Sequence, residues 1–123
     1  MREYPRLPDS EFAIMQIIWS EPTPITTNRI SELVAPERGW KPQTVYTLLI
    51  RLVEKGFLKS EKQGKERCYT PTIMREDYLN QETGHFMKIF HKNSVTGLMN
   101  ALFSGDLSEN DLTELEEWLD ERR

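Results

Sequence analysis

A chain of 123 residues holds one domain of ordinary size, or a small domain with a helical appendage whose apolar face needs a partner, and we read the second here. A single cysteine, Cys68, excludes an intramolecular disulfide framework. No apolar run nears the roughly 18 residues of a membrane span and no signal-peptide pattern is visible, so a cytoplasmic protein without membrane insertion is expected. The formal net charge of −4 would argue against a polyanionic partner if it were evenly spread. It is not: residues 1–72 carry 11 basic and 9 acidic side chains, whereas 73–123 carry 5 and 11.

Pro8-Asp9-Ser10-Glu11 supplies capping oxygens and a first-turn acid, and Phe12, Ile14, Met15, Ile17, Ile18 and Trp19 then predict a mostly buried helix to about Ser20. Glu21-Pro22-Thr23-Pro24 cannot be helical throughout. Ile25 suits a short strand, after which Thr26 or Thr27 caps a helix carrying Ile30, Leu33 and Val34 that ends over Ala35-Pro36-Glu37-Arg38-Gly39.

The stretch Trp40–Tyr69 is the most informative. Val45, Leu48, Leu49, Leu52 and Val53 recur at helical spacing and form a core-facing stripe. The opposite arc carries Gln43, Tyr46, Thr47, Ile50, Arg51 and Glu54, where amide, hydroxyl and guanidinium groups suited to base edges outnumber plain solvating charges. Pro42 fits the first helical turn and Gly56 a stop, so the helix should span about 42–55. Phe57–Lys62 and Glu66–Thr70 then read as two short strands around Gln63-Gly64-Lys65, a hairpin link. Between 38 and 67 stand eight basic residues (Arg38, Lys41, Arg51, Lys55, Lys59, Lys62, Lys65, Arg67) against Glu54, Glu61 and Glu66. Helix, short strand, helix, turn, helix, basic hairpin is the order of a winged helix-turn-helix. On that reading Lys41 and Arg51 meet phosphates, and Gln43, Thr44 and Thr47 read bases. Tyr46, at the edge of the arc, either packs on sugar or a thymine methyl or covers core.

From Met74 onward the pattern is helical again. Tyr78, Leu79, Phe86, Met87, Ile89 and Phe90 line one segment, and Val95, Leu98, Met99, Leu102 and Phe103 a second. Ser108 caps a last helix with Glu109 and Asp111 in its first turn and Leu112, Leu115, Trp118 and Leu119 as its stripe. Three short helices cannot bury these stripes alone, and a two-fold partner would complete the core. The fold class expected is therefore mainly α with a small β wing: a winged helix-turn-helix domain over 1–72 and a three-helix dimerisation region over 73–123.

Other chemistry finds little support. His85 and His91 are six apart, not the i, i+4 spacing that puts two imidazoles on one helical face, so no metal and no other cofactor is expected. Trp19, Trp40 and Trp118 fall on apolar stripes or a helix junction, where large rings usually fill core rather than cage a small molecule. No phosphate loop, nucleophile motif or catalytic constellation is present, which argues against an enzyme. A winged-helix module that docks protein, its acidic face recruiting a basic partner, is the competing class.

SEFAIMQIIW, GWKPQTVYTLLIRLVEKGFL, KERCYTP and LSENDLTELEEWL together resemble the BlaI/MecI family of winged-helix transcriptional repressors over nearly the whole chain. The resemblance implies a homodimer on an inverted-repeat operator in double-stranded DNA. It also implies repression of genes of β-lactam resistance or a related stress system, relieved by proteolysis when a membrane sensor protease, or a protease downstream of it, responds to the inducer. Carried over by position, DNA contacts fall on Lys41, Gln43, Thr44, Tyr46, Thr47 and Arg51, with wing contacts at Lys62, Lys65 and Arg67. Relatives often carry a small hydroxyl residue as helix cap where Lys41 stands. The family's cleavage site maps onto Asn100-Ala101, where the second residue is usually large and apolar. Copper-responsive relatives have a cysteine-rich tail, absent here.

Overall fold

In a computed structural model that describes residues 3–123, the chain divides into two compact units, one ending at Glu82 and the other running over Thr83–Arg123. The first contains α1 (Asp9–Ser20), β1 (Ile25–Thr26), α2 (Thr27–Arg38), α3 (Pro42–Glu54), β2 (Leu58–Gln63) and β3 (Glu66–Pro71). The strands form one antiparallel sheet in the order β1-β3-β2, with Ile25 opposite Tyr69 and Ser60 also opposite Tyr69 on the other side. β1 thus ties the start of α2 to the hairpin that follows α3.

Local signals set most of these bounds. Thr26 caps α2 by accepting the Arg29 amide at 3.1 Å. Gly39 closes α2 in the left-handed region, φ 64°. The helix runs to Arg38 straight through Pro36, where an end was expected: so near the terminus, proline forfeits one amide bond, and the Gly39 amide still reaches Ala35 O at 2.9 Å. The expected cap of α1 is also absent, since Pro8 occupies the N-cap position and makes no side-chain cap bond. Glu11 is the expected first-turn acid, and it is buried.

The core is made by Ile14, Met15 and Ile18 of α1, Ile30 and Val34 of α2, and Val45, Leu48, Leu49 and Leu52 of α3, closed beneath by Phe57, Leu58 and Tyr69. At ~25 cal/mol per Å² of apolar surface removed from water, these residues dominate the stability of the unit. An aromatic cluster extends the core: Tyr78 lies 5.5 Å from Phe57, 5.9 Å from Phe12 and 5.9 Å from Trp19, ring centre to ring centre.

That cluster moves the expected boundary. Tyr78 belongs to α4 (Arg75–His91), whose first turns are integral to the winged helix rather than to a separate dimerisation region beginning at 73. Its hydroxyl accepts the Leu7 amide at 2.8 Å, and Gln81 brackets Tyr4, accepting from its amide at 2.9 Å and donating to its carbonyl at 2.6 Å. Trp19 Nε1 donates to Ile73 O at 2.9 Å. Tyr78 is therefore core, 2 % exposed, and the expectation that it lines a dimer interface is wrong. Its ring completes the apolar period of α4 but faces into its own unit.

The second unit holds the rest of α4, then α5 (Val95–Phe103) and α6 (Glu109–Glu121). Without glycine, α4 ends on Lys92 and Asn93, both at positive φ, with the Asn93 amide reaching back to Met87 O at 2.9 Å. Ser108 begins α6 in a reciprocal capping box with Asp111, 3.1 Å one way and 3.0 Å the other. No residue of 83–123 is buried. Trp118, expected in a core, is half exposed, with the Arg122 guanidinium 3.9 Å above its ring.

Candidate nucleic-acid interface

The packing of α3 divides its residues. With Val45, Leu48, Leu49 and Leu52 buried, the remaining arc is left to solvent: Lys41, Gln43, Thr44, Tyr46, Ile50, Arg51 and Glu54 are exposed and Thr47 is half-buried. Thr47 Oγ1 donates to Gln43 O at 3.0 Å, which leaves its lone pairs to accept. Tyr46 is 43 % exposed, so of its two readings the structure favours a ring available to a partner. At the N-terminus Lys41 occupies the cap position with extended backbone, φ −73° and ψ 155°, and makes no side-chain cap bond. The first-turn amides of α3 therefore keep their partial positive charge and point where Lys41 adds a full one.

The wing adds a second basic element. β2 and β3 pair so that Lys62 stands directly opposite Arg67, joined by Gly64 and Lys65 with Gly64 at φ 65°. Two like charges opposite one another weaken a sheet, so this pair is poorly explained by folding and well suited to an anion. Arg67 Nη1 donates to Ser60 Oγ at 2.7 Å, which orients the guanidinium along the strand pair. Lys62, Lys65 and Arg67 are all exposed.

Two of the eight cations between 38 and 67 have other work. Lys55 Nζ is bound to the buried Glu11 carboxylate at 2.5 Å, and the Arg38 guanidinium sits 5.3 Å from the centre of the Trp40 ring. Asn28, in the first turn of α2, was missed by sequence reasoning: its amide donates at 3.4 Å to Glu66, which pairs with Gln63 next to the turn of the wing. Nothing in the sequence pairs these residues, which are 38 apart and meet only through β1 and β3.

The residues expected at a dimer interface, Tyr78 apart, lie in the second unit. Phe86, Ile89, Phe90, Val95, Leu102, Trp118 and Leu119 are exposed large apolar side chains, and Leu98, Met99, Leu112 and Leu115 are half-buried. Asn100 and Ala101 are exposed within α5. Among the described residues no group of three or more His, Cys, Asp or Glu side chains is placed to hold a metal ion, and no helix is long and apolar enough to cross a membrane.

Three helices, a three-stranded wing and an uncommitted polar face on the third helix define a winged helix-turn-helix regulator. Comparison with known proteins carries this further. Residues 7–121 match the model of the penicillinase repressor family. The penicillinase repressor of Bacillus licheniformis is 31 % identical over 124 residues, covering 100 % of this chain and 96 % of that one. The methicillin resistance regulatory protein MecI of Staphylococcus aureus strain N315 is 28 % identical over 92 % of both chains. Among solved structures, the DNA-binding domain of the repressor BlaI aligns at TM-score 0.56 and 36 % identity, over 63 % of this chain and 94 % of that one. BlaI of B. licheniformis in monomeric form with the blaP half-operator aligns at TM-score 0.54 and 36 % identity over the same shares. The chain belongs to the penicillinase repressor family, transcriptional repressors of the BlaI/MecI type rather than enzymes.

Proposed function

We propose that this protein is a dimeric repressor that reads an inverted-repeat operator, each protomer laying α3 in a major groove and its wing along the adjacent backbone. The carrying observation is the exposed arc of α3, where Gln43, Thr44, Thr47 and Arg51 stand clear of the core beside the Lys62–Arg67 pair. The Gln43 amide matches adenine's paired donor and acceptor, whereas Lys41, Arg51 and the wing cations match phosphates. The solved half-operator complex of a 36 % identical repressor supports the same role for the equivalent unit.

Dimerisation is supported by the second unit, which exposes Phe86, Phe90, Val95, Leu102 and Trp118 and buries nothing by itself. Such a stripe is stabilised by a second copy, and two-fold pairing would match a palindromic site. Relief is proposed to follow cleavage at Asn100-Ala101, which removes α6 and unlinks the two half-sites.

The test is selection of a duplex from random sequence by the full chain, followed by anisotropy titrations against salt. If each protomer neutralises ~4 phosphates, the log–log slope for a dimer is about −7. Lys41→Glu and Arg51→Glu should abolish binding. Salt-insensitive binding, or no preferred sequence after selection, would rule the proposal out.

A further inference from the structure

One carboxylate lies inside the core of the first unit. Glu11, in the first turn of α1, is 2 % exposed, the one buried charged residue among those described, and its Oε1 accepts a hydrogen bond from Lys55 Nζ. Desolvating the carboxylate is costly, and pairing it with a half-exposed ammonium returns little net stability: an apolar residue of similar volume at the Glu11 position serves the core as well or better. Stability alone gives no reason for an ion pair at this point. Location gives one, because Lys55 is the C-cap of α3, the helix that carries the reading arc, and α1 is a helix on which α3 packs.

Otherwise the buried faces of these two helices are apolar, with Ile14, Met15 and Ile18 on α1 and Val45, Leu49 and Leu52 on α3. Apolar contact is non-directional and tolerates sliding and rotation. A charge-assisted hydrogen bond has a length and a direction. A helix rotation of about 10° carries a side-chain tip ~6 Å from the axis through ~1 Å, beyond the ~0.5 Å tolerance of a preorganised site. Lys55 can supply that constraint because the adjoining chain is itself fixed: the Phe57 amide bonds Leu52 O at 2.9 Å, and Thr72 Oγ1 donates to Gly56 O.

We propose that the Glu11–Lys55 pair is a positioning device for sequence recognition, holding α3 at one rotation and one height on α1 so that Gln43, Thr44 and Arg51 meet the duplex in register. Lys55 then serves specificity without touching phosphate. This rests on the DNA-reading role proposed above.

The experiment compares a selected duplex with a scrambled duplex of equal length, using the full-length wild type, Lys55→Arg and the double variant Glu11→Leu/Lys55→Met. The double variant should melt at or above the wild-type temperature and bind the scrambled duplex within about twofold, yet lose at least about tenfold on the selected one, the worth of one base contact. Lys55→Arg, which preserves the ion pair, should keep the preference. An unchanged preference in the double variant overturns the proposal, and so does an equal loss on both duplexes, which would make Lys55 a phosphate ligand. If the double variant does not fold, Glu11→Leu alone, which removes the acceptor and leaves the half-exposed Lys55 to solvent, carries the same comparison with the same outcomes. A wild type with no preference for the selected duplex overturns the DNA-reading role as well; a wild-type preference untouched by these substitutions overturns only the positioning.

Discussion

Lys62→Gln separates binding from folding in the wing. Lys62 and Arg67 are direct cross-strand partners, and like charges so placed weaken a sheet by up to ~1 kcal/mol. Glutamine removes the repulsion, keeps the reach of the side chain and leaves the Arg67–Ser60 hydrogen bond in place. Stability should therefore hold or rise by a few tenths of a kcal/mol, roughly 1–3 °C in melting temperature for a unit of this size. Binding should move the other way. A dimer loses two phosphate contacts, and the salt slope falls in magnitude from about −7 to about −5. Between 50 and 200 mM salt the wild type should then lose about 10⁴-fold in affinity and the variant about 10³-fold. Anisotropy of a labelled selected duplex at three or four salt concentrations, beside a thermal melt, reads both quantities. An unchanged slope would refute wing contact, and a melting temperature several degrees lower would show that Lys62 serves the fold.

Other substitutions probe the remaining elements. Tyr78→Phe keeps the aromatic contacts but leaves the Leu7 amide buried without its acceptor, which should cost ~1–3 kcal/mol in a thermal or urea melt; a loss below a few tenths would contradict it. Burial raises the Tyr78 pKa above its ordinary value of about 10, so the hydroxyl stabilises the fold fully below that pH and the contribution fades as pH rises through the folded value. The wild type's advantage over Tyr78→Phe should thus be flat from pH 6 to 9 and shrink beyond about 10. In the second unit, Leu98→Asp with Leu115→Asp should turn a dimer into a monomer by light scattering at tens of micromolar while the winged-helix melt is kept; a wild type already monomeric there would defeat the dimer proposal. Cleavage engineered at Asn100-Ala101 should leave a fragment that binds a half-site weakly, and undiminished operator affinity would sink the proposed relief.

The two periodic helices and the hairpin were legible because each carries its own punctuation: Thr26 and Gly39 around α2, Pro42 and Gly56 around α3, Gly64 in the turn. The reading arc followed from the same period, since fixing the buried stripe of α3 fixes what is left outside. What failed depended on long-range contact. Glu11 is the first-turn acid its position announces, but its burial was not legible because its partner lies 44 residues away at the C-cap of α3. Tyr78 looked like interface because α4 changes partners along its length, facing a core at its start and solvent from Thr83 onward. The Lys62–Arg67 opposition needed the strand register, which a basic tally alone cannot supply.

Amide chemical-shift mapping of the full chain during titration with a selected duplex tests DNA reading by α3 and the wing most directly. Perturbations should concentrate at Lys41–Arg51 and Lys62–Arg67 and spare Glu109–Glu121. Perturbations confined to the acidic α6, or spread without preference for the α3 arc and the wing, would contradict the proposed interface.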